Sequence, residues 1–350
     1  MLPTIVGHDD VFERFQRAVA RGRLASTFLF VGPPGIGKKA TAIRIAQALL
    51  CESNGPDTLN SCGHCEGCTL VASSSHPDLE IIQKPEDKTI IPVSLFIGDD
   101  EHRMREGLCH SVSLKPFRGG RKVAIIDDAD HLNVEGANCL LKTLEEPPPK
   151  SVLILIGTSE QKQLPTIRSR CQIVRFKALP MQTVAQLLLQ QGAAGTPEQA
   201  HELATLAEGS LQRAAELSDG DLREFRHQLY GHLSTGSLSS VELAKEVTTF
   251  VEQAGKETPP RRARLRHVMR FASDFFHELM TRRAGGPPSP DELLRHSVEQ
   301  MLTKWRGEEE QAAACVERCI EAELQLDAMA NVSTLVDCWV DDFWSLLRAK

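Results

Sequence analysis

The sequence predicts an α/β domain with a mostly parallel sheet, followed by a region built from helices alone. A glycine-rich loop joins an apolar run at 28–31 to a helical pattern that opens at Lys38 and runs to about Leu50. Further short apolar runs alternate with helical patterns up to residue 178, which is typical of parallel sheets. From Leu179 onward only helical periodicity is found. At 350 residues the chain is long enough for two or three domains.

Composition and charge exclude several classes of protein. The net charge of −7 argues against nucleic-acid binding through the overall field, and a single tyrosine with 5% aromatic residues argues against a base-stacking platform. No run approaches eighteen apolar residues, and residues 1–10 lack the basic and apolar regions of a signal peptide. We therefore expect a cytoplasmic protein with no membrane partner. Its ten cysteines are then expected to be thiols or metal ligands rather than disulfides.

The first predicted helix lies before the glycine-rich loop, at about 11–19, where apolar residues recur at helical spacing. The loop itself has the G-x-x-x-x-G-K spacing of a phosphate-binding loop. In such a loop, backbone N–H groups, a helix N-terminus and a lysine converge on phosphate. The predicted nucleotide-binding residues of the loop are Gly32, Pro33, Pro34, Gly35, Ile36, Gly37, Lys38 and Lys39. A glycine turn with no ligand is the simpler alternative.

The residue after the loop lysine departs from the usual pattern. A Ser or Thr hydroxyl normally ligates Mg²⁺ at this position, and Lys39 cannot do so. We therefore expect ATP or ADP as the ligand of the loop, without a well-formed Mg²⁺ site. Hydrolysis by this chain alone should be weak or absent.

Four cysteines interrupt the α/β rhythm at 51–68. Cys62, Cys65 and Cys68 form two successive C-x-x-C steps, and Cys51 lies upstream. Four thiolates can close a tetrahedral zinc site, so the spacing predicts a structural zinc. His64 is an alternative fourth ligand, and a set of free thiols is the simpler alternative.

Paired acids follow a later buried strand. Val123 to Ile126 is predicted as that strand, and Asp127 and Asp128 come directly after it. In phosphoryl-transfer sites an acid at this point holds the metal, and a second acid can activate the attacking water. Asp128 is shorter than the Glu usually found in the second role. The alternative is that both acids simply cap a helix.

The other predicted elements of this region complete the α/β alternation. Strands are expected at 79–82, 90–97, 152–156 and 173–176, and helices at about 99–112 and 137–146. Thr158 and Ser159 follow the strand at 152–156, and the segment PTIRSRC brings Arg170 just before the last strand.

The helical region from Leu179 contains three short helical patterns up to about residue 217 and longer ones after Gly220. Five arginines crowd 261–270, which we interpret as a solvated or partner-facing helix surface, with DNA contact as the alternative. Cys315 and Cys319 lie one helical turn apart, and core packing is favoured over a second metal site. The apolar segment 320–347 favours a helical oligomerisation domain over a catalytic one.

Together these motifs make the chain resemble the delta-prime subunits of bacterial DNA polymerase III clamp loaders, which are AAA+ proteins. The resemblance covers roughly the first 180 residues. It is carried by the phosphate loop at 32–38, the four-cysteine insertion after its helix, IIDDADHLN at 125–133, LLKTLEEPP at 140–148 and TIRSRC at 166–171.

The resemblance implies three domains and an assembly. Residues 1–178 would form an AAA+ P-loop nucleotide-binding domain with the zinc-binding insertion at 51–68, residues 179–219 a small helical lid, and residues 220–350 a helical collar for oligomerisation. The chain would join gamma or tau and delta subunits in a heteropentameric ring of the DNA polymerase III holoenzyme. That ring opens the sliding clamp and closes it around primed DNA, which this chain would meet through the assembled complex.

The resemblance also implies residue roles. In that family the arginine of a Ser-Arg-Cys motif acts in trans on nucleotide in a neighbouring gamma or tau subunit, and Arg170 matches it. A guanidinium suits this role because it can stabilise charge on transferring phosphoryl oxygens. The alternative for Arg170 is an intramolecular salt bridge. Gln212 or Arg213 would fill the lid sensor position, and Thr158 or Ser159 the first sensor position.

The departures at Lys39 and Asp128 favour a stator, which holds one edge of the ring and completes a neighbour's site. A gamma- or tau-type motor is the nearest rival. The rivals outside the family of clamp loaders are a stand-alone AAA+ ATPase and a zinc-stabilised DNA-binding protein.

Overall fold

The computed structural model describes residues 6–55, 58–85, 87–118, 120–235 and 239–348. They divide into two compact units. Unit 1 comprises the described residues of Met1–Gln191 and Glu208–Arg213, and unit 2 those of Gly192–Ala207 and Ala214–Lys350. The predicted lid contributes residues to both units. The assignment of three functional domains stays a prediction.

One parallel sheet forms the centre of unit 1 in the described part of the chain. Its strands are β1 (Thr27–Val31), β2 (Leu79–Ile82), β3 (Lys122–Ile126), β4 (Ser151–Gly157) and β5 (Gln172–Arg175). Their order is β2-β3-β4-β1-β5, and all neighbouring strands are parallel. Every residue of β1, β3 and β4 is buried. This explains why these strands are continuous apolar runs, as expected for strands covered on both faces.

The parallel register brings the ends of the strands to one edge of the sheet. Val31 lies opposite Gly157, and Ile82 lies opposite Ile126. The residues that follow β1, β2, β3 and β4 therefore meet at the carboxyl edge, where ligands bind in open α/β sheets.

Helices cover the sheet of unit 1. They are α1 (Asp9–Ala20), α2 (Lys38–Leu49), α3 (Glu66–Ala72), α4 (Ser94–Ile97), α5 (Leu108–Ser113), α6 (Val134–Glu145), α7 (Pro165–Arg168) and α8 (Met181–Gln190). A buried cluster of apolar side chains from β1, β3 and β4 packs with side chains of α4, α5 and α6. The predicted mixed α/β fold with a parallel sheet is confirmed.

The strand predicted at 90–97 is wrong. Pro92 has no backbone N–H to donate to a ladder. The N–H of Ile91 instead donates to the carbonyl of His131 at 3.1 Å, and the chain then turns into α4. The apolar residues of this run pack into the core from a loop and a short helix.

The helix predicted over 99–112 is also wrong in extent, because only its last part forms α5. Gly107 precedes α5 and has φ +84°, a conformation that favours glycine and interrupts a helix. A Cβ at Gly107 would lie 2.7 Å from the carbonyl carbon of Phe96, so this turn also requires a close approach of two backbone segments.

In the rest of the described chain the regular elements are all helices. The helices are α9 (Pro197–Leu206), α10 (Leu211–Leu217), α11 (Gly220–Ser234), α12 (Ser240–Glu252), α13 (Thr258–Arg283), α14 (Glu292–Lys304), α15 (Glu309–Asp327) and α16 (Val332–Arg348). No helix in the described ranges is both long enough and apolar enough to cross a membrane.

Unit 2 has its own aromatic core. Phe276 contacts Phe343 and Phe343 contacts Trp339, with ring centroids 4.7 and 4.8 Å apart. Cys315 and Cys319 are buried in unit 2, consistent with core packing. Much of the apolar segment 320–347 is therefore used inside unit 2 itself. In the same segment, Ile320 and Leu324 stay 53% and 64% exposed.

The arginine stretch of α13 is bound to neighbouring parts of unit 2. Arg262 donates to the backbone carbonyls of Leu326 and Ala330, just at and beyond the end of α15. Arg266 pairs with Asp327 at 2.6 Å. Much of this positive charge thus stabilises the C-terminal end of a helix, where carbonyl groups lack helical partners.

Candidate functional site

The phosphate loop connects β1 to α2 at the carboxyl edge of the sheet. Gly35 and Gly37 have φ +72° and +95°, which favour glycine and let the loop curl in front of the helix. The helix that follows has 12 residues, so its N-terminus presents backbone N–H groups and a positive dipole end. The predicted loop residues therefore have the local geometry of a phosphate cradle.

The loop lysine is bound to the loop itself. The ammonium of Lys38 donates to the carbonyl oxygens of Gly32 and Pro33, both at 2.6 Å. The side chain is buried, and this burial lowers the pKa of Lys38, while nearby Asp130, Asp127 and Asp128 oppose the shift. A phosphate ligand would have to compete with these two carbonyls for the ammonium.

Lys39 reaches across the edge of the sheet to the first of the paired acids. Its ammonium lies 3.1 Å from Oδ2 of Asp127 and donates to Oε1 of Gln83 at 2.6 Å. Gln83 follows β2 and Asp127 follows β3, and these neighbouring strands end together. Gln83 was not predicted as a site residue. Its only signal in the sequence is its place after an apolar strand.

The second acid occupies a constrained turn. Asp128 has φ +58°, in the left-handed region that non-glycine residues adopt less often, although Asp tolerates it. Its backbone N–H donates to Oδ1 of Asp127 at 3.1 Å. Both predicted acids therefore lie at the carboxyl edge, beside the phosphate loop lysines.

A third acid, Asp130, organises the loop after β4 and was missed by the sequence analysis. It accepts from the backbone N–H and the hydroxyl of Thr158 at 2.9 and 2.5 Å, and from the side-chain amide of Gln163. Ser159 instead accepts from the backbone N–H of Lys162 at 3.4 Å. Of the two candidates for the first sensor, Thr158 is the one joined to the acids after β3.

The segment Glu208–Arg213 packs on the phosphate loop within unit 1. The backbone N–H of Gln212 donates to the carbonyl of Gly35 at 3.3 Å. A Cβ at Gly35 would lie 2.3 Å from Oγ of Ser210 and 2.6 Å from Cβ of Gln212. Arg213 pairs with Glu208 at 3.5 Å. Gln212 is therefore the sensor candidate that contacts the loop.

His8 supports the loop from the other side and was also not predicted. Its Nε2 donates to the carbonyl of Ile36 at 2.6 Å, and its ring packs edge-on against Phe176 at 4.8 Å. The imidazole is buried. A histidine before a helix carries no distinctive spacing, so the sequence offered no signal for this contact.

The four predicted metal ligands lie together. Among the described residues, the Sγ atoms of Cys51, Cys62, Cys65 and Cys68 are all within 4.8 Å of one another. Two of the separations, Cys51 to Cys65 and Cys62 to Cys68, are 3.9 Å. A tetrahedral ZnS₄ site with Zn–S bonds of about 2.3 Å has sulfurs about 3.8 Å apart, so the cluster fits zinc.

Hydrogen bonds favour the thiolate at part of the cluster, whereas burial raises the pKa of Cys68. Hydrogen bonding with the hydroxyl of Ser53, followed by the N–H groups of His64 and Cys65, lowers the pKa of Cys62 to about 5. The N–H groups of Cys65 and Cys68 donate to Cys62 and Cys65 sulfur at 3.2 and 3.4 Å. These bonds favour thiolates, which are the form that binds metal. The ring of His64 instead bonds the carbonyl of Cys62 at 2.8 Å.

One arginine ties the cysteine segment to the sheet. Arg118 pairs with Glu52 and with Glu66, the latter at 2.7 Å, and these acids follow Cys51 and Cys65. Its own backbone N–H donates to Oδ2 of Asp78 at 2.9 Å, just before β2. The cluster is therefore connected to the strand that leads to Gln83.

Arg170 lies after α7, away from the phosphate loop along the chain. Its Nε donates to Oε1 of Glu145 at 2.7 Å, and its Nη1 to the carbonyl of Thr166 at 2.9 Å. The Glu145 side chain is 51% exposed. The predicted alternative, an intramolecular salt bridge, is thus present, and its acid is open to solvent.

The sheet order, the phosphate loop after β1, the acids after β3 and the Thr after β4 define a P-loop α/β module of the AAA+ type. A family described as "DNA polymerase III, delta subunit" matches residues 7–180. The chain belongs to the delta-prime-type clamp-loader subunits of bacterial DNA polymerase III.

Three relatives illustrate the similarity. The chain is 36% identical over 210 residues to DNA polymerase III subunit delta' of Pseudomonas aeruginosa, covering 60% of each chain. It is 30% identical over 233 residues to subunit delta' of Bacillus subtilis, covering 63% of this chain and 66% of that one. Against subunit gamma/tau of Mycobacterium bovis it is 33% identical over 184 residues, which are 53% of this chain and 30% of the relative. The match therefore spans less than two thirds of the first relative's length.

Proposed function

We propose that this chain is the delta-prime stator of a bacterial clamp loader. In this role it joins gamma or tau and delta subunits in a heteropentamer, helps load the sliding clamp onto primed DNA, and supplies Arg170 to a neighbour's ATP site. The observation that carries the proposal is the contact of Lys39 with Asp127, where a hydrolysing subunit needs a hydroxyl and a metal. The similarity to two delta' subunits supports it.

The stator role follows from what the phosphate site lacks. Lys39 has no oxygen for Mg²⁺, and Asp128 is short for the activation of water. ATP or ADP could still bind through the loop backbone and Lys38, since phosphate contacts there come from N–H groups and the ammonium. Binding without turnover is the expected property of this subunit.

Arg170 provides the chemistry that the chain would give to another subunit. Arg170 is 28% exposed and its present partner Glu145 is 51% exposed, and an ion pair that water reaches contributes only about 0–1 kcal/mol. The guanidinium can therefore exchange Glu145 for phosphoryl oxygens at small cost. Its fixed fork of donors suits such oxygens better than an ammonium would.

The four-cysteine cluster is proposed to hold one structural zinc. Four thiolates would fill the tetrahedral shell, so no position would remain for water or substrate. The exposed pair Ile320 and Leu324 on α15 supports an assembly surface in the helical region.

Purification from the native cell tests the proposal. The tagged full-length chain should bring gamma or tau and delta subunits with it, and the isolated chain should release no phosphate from ATP above background. A chain that purifies alone, without any clamp-loader subunit, would contradict the assignment.

A gamma- or tau-type motor is the second candidate, favoured by the 33% identity to subunit gamma/tau. It requires strong ATP hydrolysis that depends on Lys38. Phosphate release by the isolated wild-type chain that is lost in Lys38→Ala would favour the motor over the stator.

A further inference from the structure

Three groups from three elements meet at one corner of the carboxyl edge of the sheet. The ammonium of Lys39, in the first turn of α2, bonds the carboxylate of Asp127 after β3 and the amide oxygen of Gln83 after β2. Asp127 is only 18% exposed. This arrangement is therefore held by the ends of a helix and two strands rather than by a mobile surface loop.

Magnesium does not fit this corner. A P-loop site holds Mg²⁺ with the hydroxyl after the loop lysine and with an acid that follows a second strand, which is β3 here. Here the first ligand is replaced by an ammonium, which has three donors and no acceptor. The second ligand, Asp127, already accepts that ammonium at 3.1 Å. A divalent cation would face a fixed positive charge in place of one oxygen and would have to displace it from the other.

The loop lysine does not provide this charge. Lys38 donates to the carbonyls of Gly32 and Pro33. A further lysine after β2, Lys84, donates to the carbonyls of Pro85 and Lys88. Of these three lysines, Lys39 is the one that forms an ion pair with Asp127.

We propose that the ammonium of Lys39 is the resident cation of this corner, in the place that Mg²⁺ takes in hydrolysing relatives. Asp127 is then neutralised by the chain itself, and any phosphate ligand of the loop is held without a divalent metal. Only the part about the phosphate ligand rests on the proposed function.

Thermal melting of the full-length chain tests this inference. Wild-type protein should melt at the same temperature in millimolar Mg²⁺ and in EDTA. Lys39→Met keeps the length and removes the charge, so in EDTA its melting temperature should fall by a few degrees, on the order of 2–4 °C for each kcal/mol lost. Millimolar Mg²⁺ should recover much of that loss. Lys39→Thr restores a hydroxyl and should respond to Mg²⁺ more strongly.

The matched control is Lys115→Met, which removes an exposed lysine of the same unit. Its melting temperature should be the same in Mg²⁺ and in EDTA. With ADP added, stabilisation of the wild type that is equal in Mg²⁺ and in EDTA supports the proposal. Stabilisation of the wild type by Mg²⁺, or by ADP only when Mg²⁺ is present, overturns it. A Lys39→Met variant that is as stable as the wild type, or that ignores Mg²⁺, overturns it as well.

These measurements need no partner subunit. A melting result that contradicts the role of Lys39 would not affect the evidence for assembly with clamp-loader subunits. A result that contradicts assembly would not affect the melting data. The two failures are therefore distinguishable.

Discussion

Two of the ion pairs of unit 1 lie at separate corners and differ in the exposure of their acids. At the phosphate corner, Lys39 pairs with Asp127, which is 18% exposed and lies at a strand end. At the other corner, Arg170 pairs with Glu145, which is 51% exposed and lies in the last turn of α6. One cation is an ammonium and the other a guanidinium, and the corners differ further in the exposure of the acid that holds each one.

The comparison separates a cation that binds an acid of its own chain firmly from a cation that can leave its acid and contact a neighbouring subunit. The side chains of Arg170 and Glu145 are 28% and 51% exposed, and an ion pair that water reaches is worth little and can be exchanged for another anion. Lys39 is fixed by two partners at the ends of neighbouring strands, so its charge serves the chain itself. A subunit that lends a charge to a neighbour and does no chemistry of its own needs both arrangements.

The largest expected effect comes from removing the guanidinium of Arg170. Arg170→Ala should leave folding, zinc content and assembly intact but lower the ATPase rate of the assembled complex. Loss of a trans arginine can cost roughly a thousandfold at its own site, and the loss for the whole ring should be smaller because other sites keep their arginines. Steady-state phosphate release by the reconstituted complex measures the effect.

Arg168→Ala is the matched control, since it removes an equal charge from an exposed residue of the same turn. It should leave the rate within about twofold of the wild type, a difference below roughly 0.5 kcal/mol. If Arg170→Ala were as silent as this control, the two corners would not differ in the way proposed.

Disruption of the metal cluster tests how far its effect extends within unit 1 and whether it reaches the Arg170 corner. Cys65→Ser should reduce the zinc content from about one per chain toward zero, because a structural site needs four protein ligands. The destabilisation should be felt near the cluster and at β2, which Arg118 and Asp78 link to it. Elemental analysis and amide hydrogen exchange measure these two changes.

The matched control is Cys338→Ser, an exposed cysteine outside the cluster, which should keep full zinc content. Protein that is metal-free and yet as stable as the wild type would remove the structural role. Equal loss of protection around Arg170 would mean that the cysteine cluster and the Arg170 corner are coupled.

The smallest effect is expected from the loop lysine. Lys38→Ala should remove nucleotide binding to this chain, because the ammonium is lost from the loop, yet change the ATPase rate of the assembled complex far less than Arg170→Ala does. Binding of a fluorescent ADP analogue and phosphate release give the two readings. A larger effect on the assembled rate from Lys38→Ala than from Arg170→Ala would reverse the comparison.

Most of this site could be predicted from the local spacing of residues in the sequence. The loop at 32–38, the acids at 127–128 and the four cysteines are short motifs whose geometry is set by a few adjacent residues. The strands at the centre of the sheet were also predictable because burial on both faces gives continuous apolar runs. These parts needed no knowledge of how distant segments meet.

The contacts between distant segments could not be read in advance. Lys39 and Asp127 were each singled out, but their contact depends on α2 packing over β3. The contact with Gln83 depends on β2 and β3 being neighbours, and periodicity reveals neither arrangement. Asp130 and His8 were missed because a third acid and a lone histidine carry no spacing signal. The apolar run at 90–97 misled because a loop over the core buries apolar residues as a strand does.

The contacts of the arginine stretch of α13 bear on how DNA binding by the assembled complex depends on salt concentration. A protein that neutralises DNA phosphates releases counterions, and the slope of log affinity against log salt counts those contacts. Arg262 already donates to backbone carbonyls of unit 2, and Arg266 already pairs with an acid there. The chain as a whole carries a charge of −7. We therefore expect the steepness of that slope, in any assembly on primed DNA, to be set by the other subunits.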